Sequence, residues 1–502
     1  MILDIEQNRY SDTVKISYID SDRNRQILSV KKRDFWKWRY YEGPNADIKY
    51  KSWDDKRVVR ISYKDNDTID KKSIWEWINT HPEYKKILYE FNMPKILFCD
   101  IETDIHDGFP DVTVAKEKIT AITVCWKDDN NKIQVVILGE KENFDYDKQK
   151  KMNEFLSDYF SKVTDLKIIL KYIHIPDEVK LLESFVKICS KFHVITGWNF
   201  INTFRQNWMN NNGFDWPFLT KRMDNLKVDY KSISPTNKLN NKKDVGKVPH
   251  HFSVIDYMYY FDAFDRSIKI KESKSLDFIS SQVLKVKKLK YGNYPAMNGA
   301  VLKEMYDKDY DTYCLYNAVD TILVLLIHER RQPFSAILAQ GNGSCNPIDK
   351  ADSAVNVTEG YMSKAYIENG KVLPNIDISQ REKEWYEGAY VKSPIAGLHE
   401  LTACYDFSSL YPSISRFLEL GFENFDRKET NNLKYYSKYK PITSKIERPK
   451  NDEIISVSGC VFKKGESTLK GVYDELYTDR KKNQYRSKLC AKIAHEIKQN
   501  RK

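Results

Sequence analysis

Short apolar segments with a clear period mark the first two thirds of the chain. In residues 1–94, alternating runs such as TVKISYID at 13–20 predict strands joined by charged turns. From there to about residue 333, strand-like and helix-like runs follow one another, which predicts an α/β domain. The strand-like runs are KILFCDIET, KITAITVCW, KIQVVIL and FHVITGW, and the helix-like runs are MNEFLSDYFSKV and DEVKLLESFVKICSKF.

The last third of the chain has a different pattern. A Gly- and Asn-rich stretch, QGNGSCNPID at 340–349, predicts a connector between folded parts. Residues 386–414 predict a strand, a turn, a second strand and then a turn into a helix. A basic segment at 473–502 predicts a further helix, because its apolar residues fit helical spacing. They are Leu476, Leu489, Ile493 and Ile497.

Composition narrows the class of protein without fixing a function. With 41% hydrophobic and 30% charged residues, the 502 residues are typical of a soluble protein built from several domains. The net charge of +11 is compatible with a polyanionic partner such as nucleic acid, and equally with a solubilising surface. Aromatic residues make up 13% of the chain and suit core packing or base stacking.

Neither a secretion signal nor a membrane segment is expected from the sequence. The start, MILDIEQNRY, lacks the positive and apolar regions of a signal peptide. The longest apolar runs, such as ILVLLI at 322–327, are too short to span a bilayer. The eight cysteines form no CxxC pair, so neither a zinc site nor a disulfide framework is expected. These features predict a reducing, cytoplasmic location.

Carboxylates at the end of an apolar strand are the first chemical signal. Hydrolysis of a phosphodiester by two metal ions needs several carboxylates at one point, because hard cations prefer oxygen ligands. Asp100 and Glu102 lie two residues apart in ILFCDIET, so on a strand their side chains share one face. Acidic pairs also occur on solvated edges, but this pair ends an apolar run, which favours a functional site.

Two further segments each add an acid. In NGFDWPFLTKRM, Asp215 has hydrophobic neighbours on both sides, and the preceding segment ITGWNF contains Asn199. In YNAVD, Tyr316 and Asp320 are four residues apart and stack on one face of a helix. A phenol beside a metal-bound carboxylate can orient a water molecule. Alone, such a Tyr–Asp pair is more often a surface hydrogen bond.

In this order, DIE, an Asn followed by FDxPFL, and Yx3D resemble the DEDDy exonuclease pattern of the proofreading domain of family B DNA polymerases. The resemblance implies an RNase H-like fold that hydrolyses a single-stranded DNA 3′ end. It also implies two Mg²⁺ or Mn²⁺ ions per active site, with Tyr316 positioning the attacking water. The implied metal ligands are Asp100, Glu102, Asp215 and Asp320.

One spacing departs from the family. The Asn of the second motif normally lies about five residues before its Asp, whereas Asn199 lies sixteen before Asp215. The residues INTFRQNWMNN at 201–211 are therefore interpreted as an insertion that forms a surface loop near the site. Asn210 restores the usual spacing, but Asn199 has the better context in TGWN and is the residue implied to bind DNA.

The string DFSSLYPSI resembles the first palm motif of family B polymerases, in which an Asp ends a strand and the chain turns into a helix. The resemblance implies that Asp406 and the main-chain carbonyl of Phe407 hold catalytic metal ions. The N–H groups around Ser409, Leu410 and Tyr411 would bind a triphosphate at the helix start. The Tyr411 ring would exclude a 2′-hydroxyl and so select deoxynucleotides.

Two smaller elements resemble the same family. The segment YEGA resembles the YxGG-like segment between exonuclease and palm, which implies that Tyr386 and Gly388 contact DNA. Arg480 heads a basic helix like the first fingers helix, which grips the incoming triphosphate. The Lys that the family carries four residues later is replaced by Gln484, so the helical partner of Arg480 stays open.

The resemblance covers nearly the whole chain and is strongest to the replicative polymerases of T-even-type bacteriophages, as in SLDFISSQVLKVKKLKY at 275–291. It implies a multidomain α/β and α+β fold and, for a phage-encoded chain, a location in the host cytoplasm. The implied parts are an N-terminal domain at 1–94 with 334–378 packed against it, an exonuclease domain at 95–333, a partial palm at 379–465 and the first part of the fingers at 466–502.

Two motifs of a complete family B polymerase are not found in these 502 residues. They are a Kx3NSxYG motif of the second fingers helix and a DTD-type motif of the palm. Without the second palm Asp, the polymerase site has only half of its main carboxylates. This chain alone is therefore not expected to extend a primer.

A split polymerase is the interpretation that we favour for this pattern. A second chain would supply the missing motifs and the contact with a sliding clamp, and a break at the fingertip would cost little packing. The expected partners are then primer–template DNA, a single-stranded 3′ end, deoxynucleoside triphosphates and that second chain. The alternatives are a truncated reading frame, a stand-alone 3′–5′ DNA exonuclease and an inactive DNA-binding fragment.

Overall fold

The computed structural model divides the chain into two compact units. One comprises Met1–Lys31 and Glu83–Val357, and the other comprises Lys32–Pro82 and Thr358–Lys502. The four parts implied by the family resemblance have other boundaries and stay a prediction. The structure describes all residues except 45–49, 53–55, 105–108, 202–212, 243–244, 266, 269–271, 295–296, 374, 376–390, 408, 429–449, 456–459, 466 and 501–502, and the side chains of 428, 495 and 498–500.

Strands and helices are numbered along the chain. The strands are β1 (Ile2–Gln7), β2 (Thr13–Ile19), β3 (Arg25–Lys31), β4 (Trp36–Tyr40), β5 (Tyr50–Lys51), β6 (Arg57–Ser62), β7 (Ile96–Thr103), β8 (Ile119–Lys127), β9 (Ile133–Gly139), β10 (Ile168–His174), β11 (Val194–Gly197), β12 (Leu239–Lys242), β13 (Gly246–Pro249), β14 (Ser253–Asp256), β15 (Phe425–Lys428), β16 (Glu453–Ile455) and β17 (Cys460–Lys463). The helices are α1 (Lys71–Thr80), α2 (Pro82–Tyr89), α3 (Tyr146–Phe160), α4 (Glu178–Cys189), α5 (Asp215–Asn225), α6 (Tyr257–Phe264), α7 (Leu276–Val283), α8 (Gly299–Lys308), α9 (Tyr310–Arg331), α10 (Pro333–Ser344), α11 (Ala354–Glu368), α12 (Leu410–Phe417) and α13 (Thr468–Asn500).

A six-stranded sheet forms the centre of the first unit, in the order β10-β9-β8-β7-β11-β14. Strand β8 runs antiparallel to both of its neighbours, whereas β10 is parallel to β9, and β7, β11 and β14 are parallel to one another. Strand β7 lies inside this sheet, and its side chains alternate between two apolar cores, with Phe98 on one face and Leu97, Cys99 and Ile101 on the other, so both of its faces are covered. That position explains its continuous apolar run. The small antiparallel sheet β1-β2-β3 belongs to the same unit.

Helix α9 packs across β7 and β8 and is covered on its other side by α7 and α8. Its run ILVLLI at 322–327 is buried throughout, as expected for a helix that is apolar on all sides. The helix begins where the side chain of Asp309 accepts a hydrogen bond from the N–H of Thr312. Within the described residues, no helix has both the length and the apolar character needed to cross a membrane.

Polar capping residues determine where other helices of this unit begin. In each case the side chain accepts a hydrogen bond from the N–H three residues further on, which satisfies one of the free donors of the helix start. The caps are Asp145 for α3, Asp177 for α4, Ser275 for α7 and Asn298 for α8.

The second unit contains two small antiparallel sheets, β4-β6-β5 and β15-β17-β16. The first packs against α1, where the carboxylate of Glu76 accepts hydrogen bonds from the indole N–H groups of Trp36 (2.9 Å) and Trp38 (2.7 Å). Helix α12 packs on α13, and an ion pair between Arg416 and Asp474 (2.5 Å) joins the two helices.

The mixed α/β fold and most local predictions are confirmed. The four strand-like runs form β7, β8, β9 and β11, and the two helix-like runs form α3 and α4. The run at 13–20 forms β2, and the basic segment near the end forms α13. These elements were predictable because their hydrophobic period is clear and they are longer than a single turn.

The predicted connector at 340–349 is wrong in its first half, because α10 continues to Ser344. A Cβ on Gly341 would lie 3.1 Å from both Ala351 Cβ and the main-chain oxygen of Asn346. The glycine therefore allows the chain after the helix to approach closely, and it does not interrupt the helix. A glycine in a helical pattern can serve such packing rather than a break.

The strand predicted before Asp406 is also wrong in the described residues. Residues 391–407 form no strand there, although the helix predicted after them is confirmed as α12. A strand is stabilised by the hydrogen-bond ladder with its neighbours, and no described strand pairs with this segment. Its apolar side chains are exposed, Leu398 by 94%. The part of the prediction that covers 386–390 lies outside the described residues.

Candidate active site

Strand β7 carries the first two acids of the candidate site. Asp100 and Glu102 lie two residues apart on this strand and line the same cavity, as the period of a strand predicts. One edge of β7 pairs with β11, but that pairing ends at Phe98. Beyond Phe98, the main-chain groups of this edge are available to side chains.

Asp215 binds to that edge. Its Oδ1 accepts a hydrogen bond from the main-chain N–H of Ile101 (3.2 Å), and the residue is only 5% exposed. Asp215 is also the first residue of α5, where the free N–H groups of the helix start favour a carboxylate. Strand β7 and helix α5 thus bring three acids to one cavity.

The turn after β11 brings Asn199 next to the start of α5, although many residues intervene in the sequence. The main-chain oxygen of Asn199 accepts a hydrogen bond from the N–H of Phe214 (3.0 Å), and that of Phe200 accepts one from Trp216 (3.0 Å). Asn199 has a left-handed conformation (φ 59°) and lines the same cavity as the acids. The unusual spacing therefore does not move Asn199 away from the site.

The main chains at Ile201 and Gly213 approach each other closely. A Cβ on Gly213 would meet the carbonyl carbon of Ile201 at 2.1 Å, so only glycine fits. Asp256, fully buried at the end of β14, accepts hydrogen bonds from the N–H groups of Ile201 (3.2 Å) and Tyr259 (2.8 Å). The loop predicted at 201–211 lies, apart from Ile201, outside the described residues.

Helix α9 supplies the remaining predicted residues. Tyr316 and Asp320 are both buried and line the cavity. Lys288, which follows α7 in the chain, pairs with Asp320 (Nζ–Oδ2 2.5 Å), and its ammonium lies 4.9 Å from the centre of the Tyr316 ring. Asn317 Nδ2 donates a hydrogen bond to Asp100 Oδ2 (2.7 Å) and so connects α9 to β7.

These elements enclose a cavity of ≈ 760 Å³ in the first unit. Its acidic side is formed by the four carboxylates, and its rim is largely apolar. At the rim, Phe109 is 81% exposed and packs on Phe214 with 4.8 Å between the ring centroids. Met297, which precedes α8, and Leu302, which lies within α8, line another part of the wall. A cavity of this kind has room for a ligand with both an apolar and a charged part.

Burial and mutual repulsion dominate the electrostatics of the acids. Burial, followed by the charge of Asp320, raises the pKa of Asp100 to about 7. Burial and the charge of Asp100 also raise the pKa of Glu102 and of Asp215 well above their usual values. Burial raises the pKa of Asp320 as well, although Lys288 opposes this shift. Lys288 supplies one positive charge next to the four acids, which is too little to balance them all, and a bound cation would supply more.

The donor set fits divalent metal ions. All four acids offer hard oxygen atoms of the kind that Mg²⁺ and Mn²⁺ prefer, and Asp320 Oδ1 is buried without a hydrogen-bond partner. As the side chains stand, no group of three or more His, Cys, Asp or Glu residues in the described part of the chain is arranged to hold a metal ion. Metal binding therefore requires these side chains to adjust, above all Asp320, which Lys288 engages.

Sequence reasoning missed three residues of this region: Lys288, Asn317 and Asp256. Lys288 is one of several lysines in the segment LKVKKLK, and no period distinguishes it from the others. Asn317 follows Tyr316 directly, and adjacent helical residues point about 100° apart. The sequence therefore gives no reason to assign Asn317 to the same site as Tyr316. Asp256 ends a buried strand, which is the same signal that identified Asp100 and could have found it.

The residues predicted to bind a nucleotide lie in the second unit and are open to solvent. Asp406 and Phe407 are exposed and precede α12. Ser409 caps that helix in a left-handed conformation (φ 54°), and its hydroxyl accepts a hydrogen bond from Arg480 Nη1 (3.1 Å). Tyr411 is also largely exposed. The structure thus places Arg480 of α13 beside the start of α12.

The remaining predicted residues of this part are Leu410, Gln484, Tyr386 and Gly388. Leu410 is the first residue of α12 and is partly exposed. Gln484 lies on an exposed part of α13, one turn after Arg480. Tyr386 and Gly388 lie outside the described residues.

Two protein-family models match the chain. The model of the DNA polymerase family B exonuclease domain matches residues 39–281, and the model of DNA polymerase family B matches residues 351–499. The first match includes Asp100, Glu102 and Asp215, and the second includes Asp406. Tyr316 and Asp320 lie between the two matched ranges, so the models cover part of the acidic site and the region of Asp406.

Curated relatives agree with these matches. The chain is 27% identical over 396 residues to the DNA-directed DNA polymerase of Escherichia phage RB69, which covers 76% of this chain and 40% of that protein. It is 21% identical over 398 residues to that of Enterobacteria phage T4, with 76% and 41% covered. The DNA polymerase of Archaeoglobus fulgidus is 26% identical over 257 residues, with 47% and 28% covered. The chain thus spans less than half of the length of these relatives.

The fold and the cavity define an α/β domain with a buried acidic site, and both models that match the chain describe family B DNA polymerases. The chain belongs to the family B DNA polymerases and carries the exonuclease domain of that family together with part of its polymerase domain. The family resemblance predicted from the motifs is thereby confirmed, as is the similarity to the polymerases of T4-type phages.

Proposed function

We propose that this chain removes nucleotides from the 3′ end of single-stranded DNA by hydrolysis with two divalent metal ions. We also propose that it carries the first part of a DNA polymerase site. The observation that supports the nuclease most is the single cavity lined by four buried or half-buried acids from β7, α5 and α9. The polymerase part is supported by the family match and by the contact between Arg480 and Ser409.

In the nuclease site, Asp100, Glu102, Asp215 and Asp320 would hold the metal ions. Such ions activate a water molecule and stabilise the leaving oxygen of a phosphodiester. Tyr316 positions the attacking water through its phenol, which stays protonated because burial and the charge of Asp320 raise its pKa. When Asp320 serves as a metal ligand, the ammonium of Lys288 is free to contact the scissile phosphate.

The rim of the cavity supports a single-stranded substrate. The exposed ring of Phe109, held against Phe214, offers a face on which an unpaired base can stack, and stacking of this kind tolerates any base. Asn199 lies in the same cavity and can donate to the strand from beside the acids. Bases inside a duplex are already stacked and paired, so the frayed 3′ end is the preferred substrate. The choice of DNA rests on the family.

The polymerase part needs residues from elsewhere. Asp406 and the carbonyl of Phe407 would hold metal ions, and Ser409, Tyr411 and Arg480 would bind the incoming triphosphate together with Leu410. A two-metal site requires a further carboxylate, and residues 391–407 have no neighbouring strand among the described residues. A polypeptide region with the Kx3NSxYG and DTD-type motifs would complete the site, as a second chain that also carries the contact with a sliding clamp.

Degradation of a 5′-labelled single strand by the purified chain tests the nuclease. With Mg²⁺, we expect a ladder of products shortened from the 3′ end, which is lost in EDTA and in the Asp100→Ala variant. Asp406→Ala is the matched control and keeps the activity, because it changes an acid of the other unit. Absence of products from the wild-type chain would contradict the proposal, as would equal activity of the Asp100→Ala variant.

Primer extension tests the polymerase part. The chain alone is expected to add no nucleotide, and a mixture with the polypeptide that contains the two remaining motifs is expected to extend a primer. Extension should be lost with Asp406→Ala and retained with Asp100→Ala. If no polypeptide of the same genome restores extension, a stand-alone exonuclease is the better description.

A further inference from the structure

Asn317 holds the carboxylate of Asp100 from the helix behind it. Asn317 is fully buried on α9, and its Nδ2 donates a hydrogen bond to Asp100 Oδ2 at 2.7 Å. Its side chain is not among those that line the cavity. Asn317 therefore contacts the site through an acid and has no access of its own to a substrate.

The other end of the amide shows that this orientation is imposed. Asn317 Oδ1 is buried and has no hydrogen-bond partner. A buried oxygen without a donor is unfavourable. The opposite orientation is worse, however, because it would place the amide oxygen against the carboxylate of Asp100, and two acceptors repel. The contact with Asp100 thus determines the orientation of the amide, and the fold tolerates one unsatisfied oxygen.

The hydrogen bond also distinguishes the two oxygens of Asp100. The hydrogen bond from Asn317 uses one lone pair of Oδ2 and none of Oδ1, so Oδ1 has the greater capacity for a ligand in the cavity. Partners of this kind orient the carboxylates that bind metal ions, and their loss weakens metal binding. We infer that Asn317 is a positioning residue that orients Asp100 for the metal ions of the nuclease site. This inference rests on the proposed function.

Mn²⁺ binding to the full chain without DNA tests the inference independently of activity. Asn317→Leu removes the donor with little change in size, and we expect the apparent Kd for Mn²⁺ to rise by about tenfold. Thr321→Val is the matched control. Thr321 lies one turn further along α9 and is equally buried, and its hydroxyl donates to the main-chain oxygen of Asn317 rather than to an acid. Its Mn²⁺ affinity is expected to match that of the wild type.

The Mg²⁺ dependence of strand degradation gives a second readout. In Asn317→Leu, the Mg²⁺ concentration for half-maximal rate is expected to rise by about tenfold, while kcat at saturating Mg²⁺ recovers most of the wild-type value. A variant with a merely damaged fold would not recover at high Mg²⁺. If circular dichroism shows that Asn317→Leu does not fold, Asn317→Ala, which cannot overpack the site, takes its place in both experiments.

The outcomes separate the inference from the proposal beneath it. A wild-type chain that binds no Mn²⁺ would contradict the proposed nuclease function itself. A wild-type chain that binds Mn²⁺, together with an Asn317→Leu variant of equal affinity and equal Mg²⁺ dependence, would overturn only the positioning role of Asn317.

Discussion

Asp100 and Asp406 are the first carboxylates of the two candidate sites, and their surroundings differ. Asp100 lies on an inner strand of a sheet, accepts a hydrogen bond from Asn317 and shares a cavity with three other acids. Asp406 is exposed, and the segment 391–407 that contains it pairs with no described strand. The fold encloses Asp100 with protein groups, whereas the described residues do not enclose Asp406.

Long-range contacts account for this difference. Strand β7 pairs with β8 and β11 within the same unit, and α9 packs on it, so the main chain that carries Asp100 and Glu102 is held in place. Burying several acids is unfavourable, and a large apolar core such as that around α9 must offset the cost. The segment 391–407 instead exposes several large apolar side chains. This exposure is compatible with our proposal that a further polypeptide region completes this part.

The largest expected effect separates the two sites directly. Asp215→Asn should lower the rate of strand degradation by roughly 10³-fold or more, because it removes a metal ligand of the nuclease. Asp406→Asn should leave that rate within about twofold of the wild type, since surface changes remote from a site rarely alter it. Single-turnover kinetics on a labelled strand measure both. A similar loss of rate in both variants would contradict the distinction between the two sites.

A smaller effect is expected at Tyr316. The Tyr316→Phe variant keeps the buried ring but loses the hydroxyl that positions the water. We expect kcat to fall by about 10²-fold with little change in KM, as for other groups that assist a reaction through a proton or a hydrogen bond. Steady-state kinetics at saturating Mg²⁺ check this. An unchanged kcat would remove Tyr316 from the reaction.

The pH dependence of metal binding follows from the raised pKa of Asp100, which is about 7. Below that value the carboxyl is mainly protonated in the folded chain, and a metal ion must displace the proton. The apparent Kd for Mn²⁺ should therefore rise by about tenfold per pH unit as the pH falls from 7 to 5. Isothermal titration at several pH values measures it. The Asp100→Asn variant should show a weaker dependence, and a pH-independent wild type would contradict the assignment.

The smallest expected effect concerns the rim of the cavity. Phe109→Ala should raise KM for a single strand by about fivefold, which corresponds to the loss of about 1 kcal/mol of base stacking. Tyr10→Ala is the control, because Tyr10 is an equally exposed aromatic residue at a turn of the same unit, outside the cavity. Equal KM values for both variants would show that bases do not stack on Phe109.

Local sequence pattern predicted the parts of the site that depend on one element. Asp100 and Glu102 could be assigned to one face because they share a strand, and Tyr316 and Asp320 because they share a helix. Their common cavity was expected only from the order of the motifs. The amide of Asn317 was not predictable, because its role depends on a strand that lies 217 residues away.

The wrong predictions have the same physical origin. The alternating pattern before Asp406 does favour a strand, but a strand forms only beside a neighbour, and the local pattern cannot show whether one is present. Gly341 was interpreted as part of a connector, although its role is to admit Ala351 against α10. The insertion predicted between Asn199 and Asp215 stays a prediction, and the hydrogen bond from the N–H of Phe214 to Asn199 shows that the segments on either side of it meet.

Anomalous scattering from Mn²⁺ in a crystal of the full chain is the most direct test of our proposal that the four acids of the first unit bind two metal ions, whereas Asp406 of the second unit holds none by itself. We expect two peaks about 4 Å apart, each within about 2.2 Å of carboxylate oxygens of the four acids, and no peak at Asp406. The four acids are Asp100, Glu102, Asp215 and Asp320. A saturated crystal with a peak at Asp406 and none among the four acids would contradict this proposal.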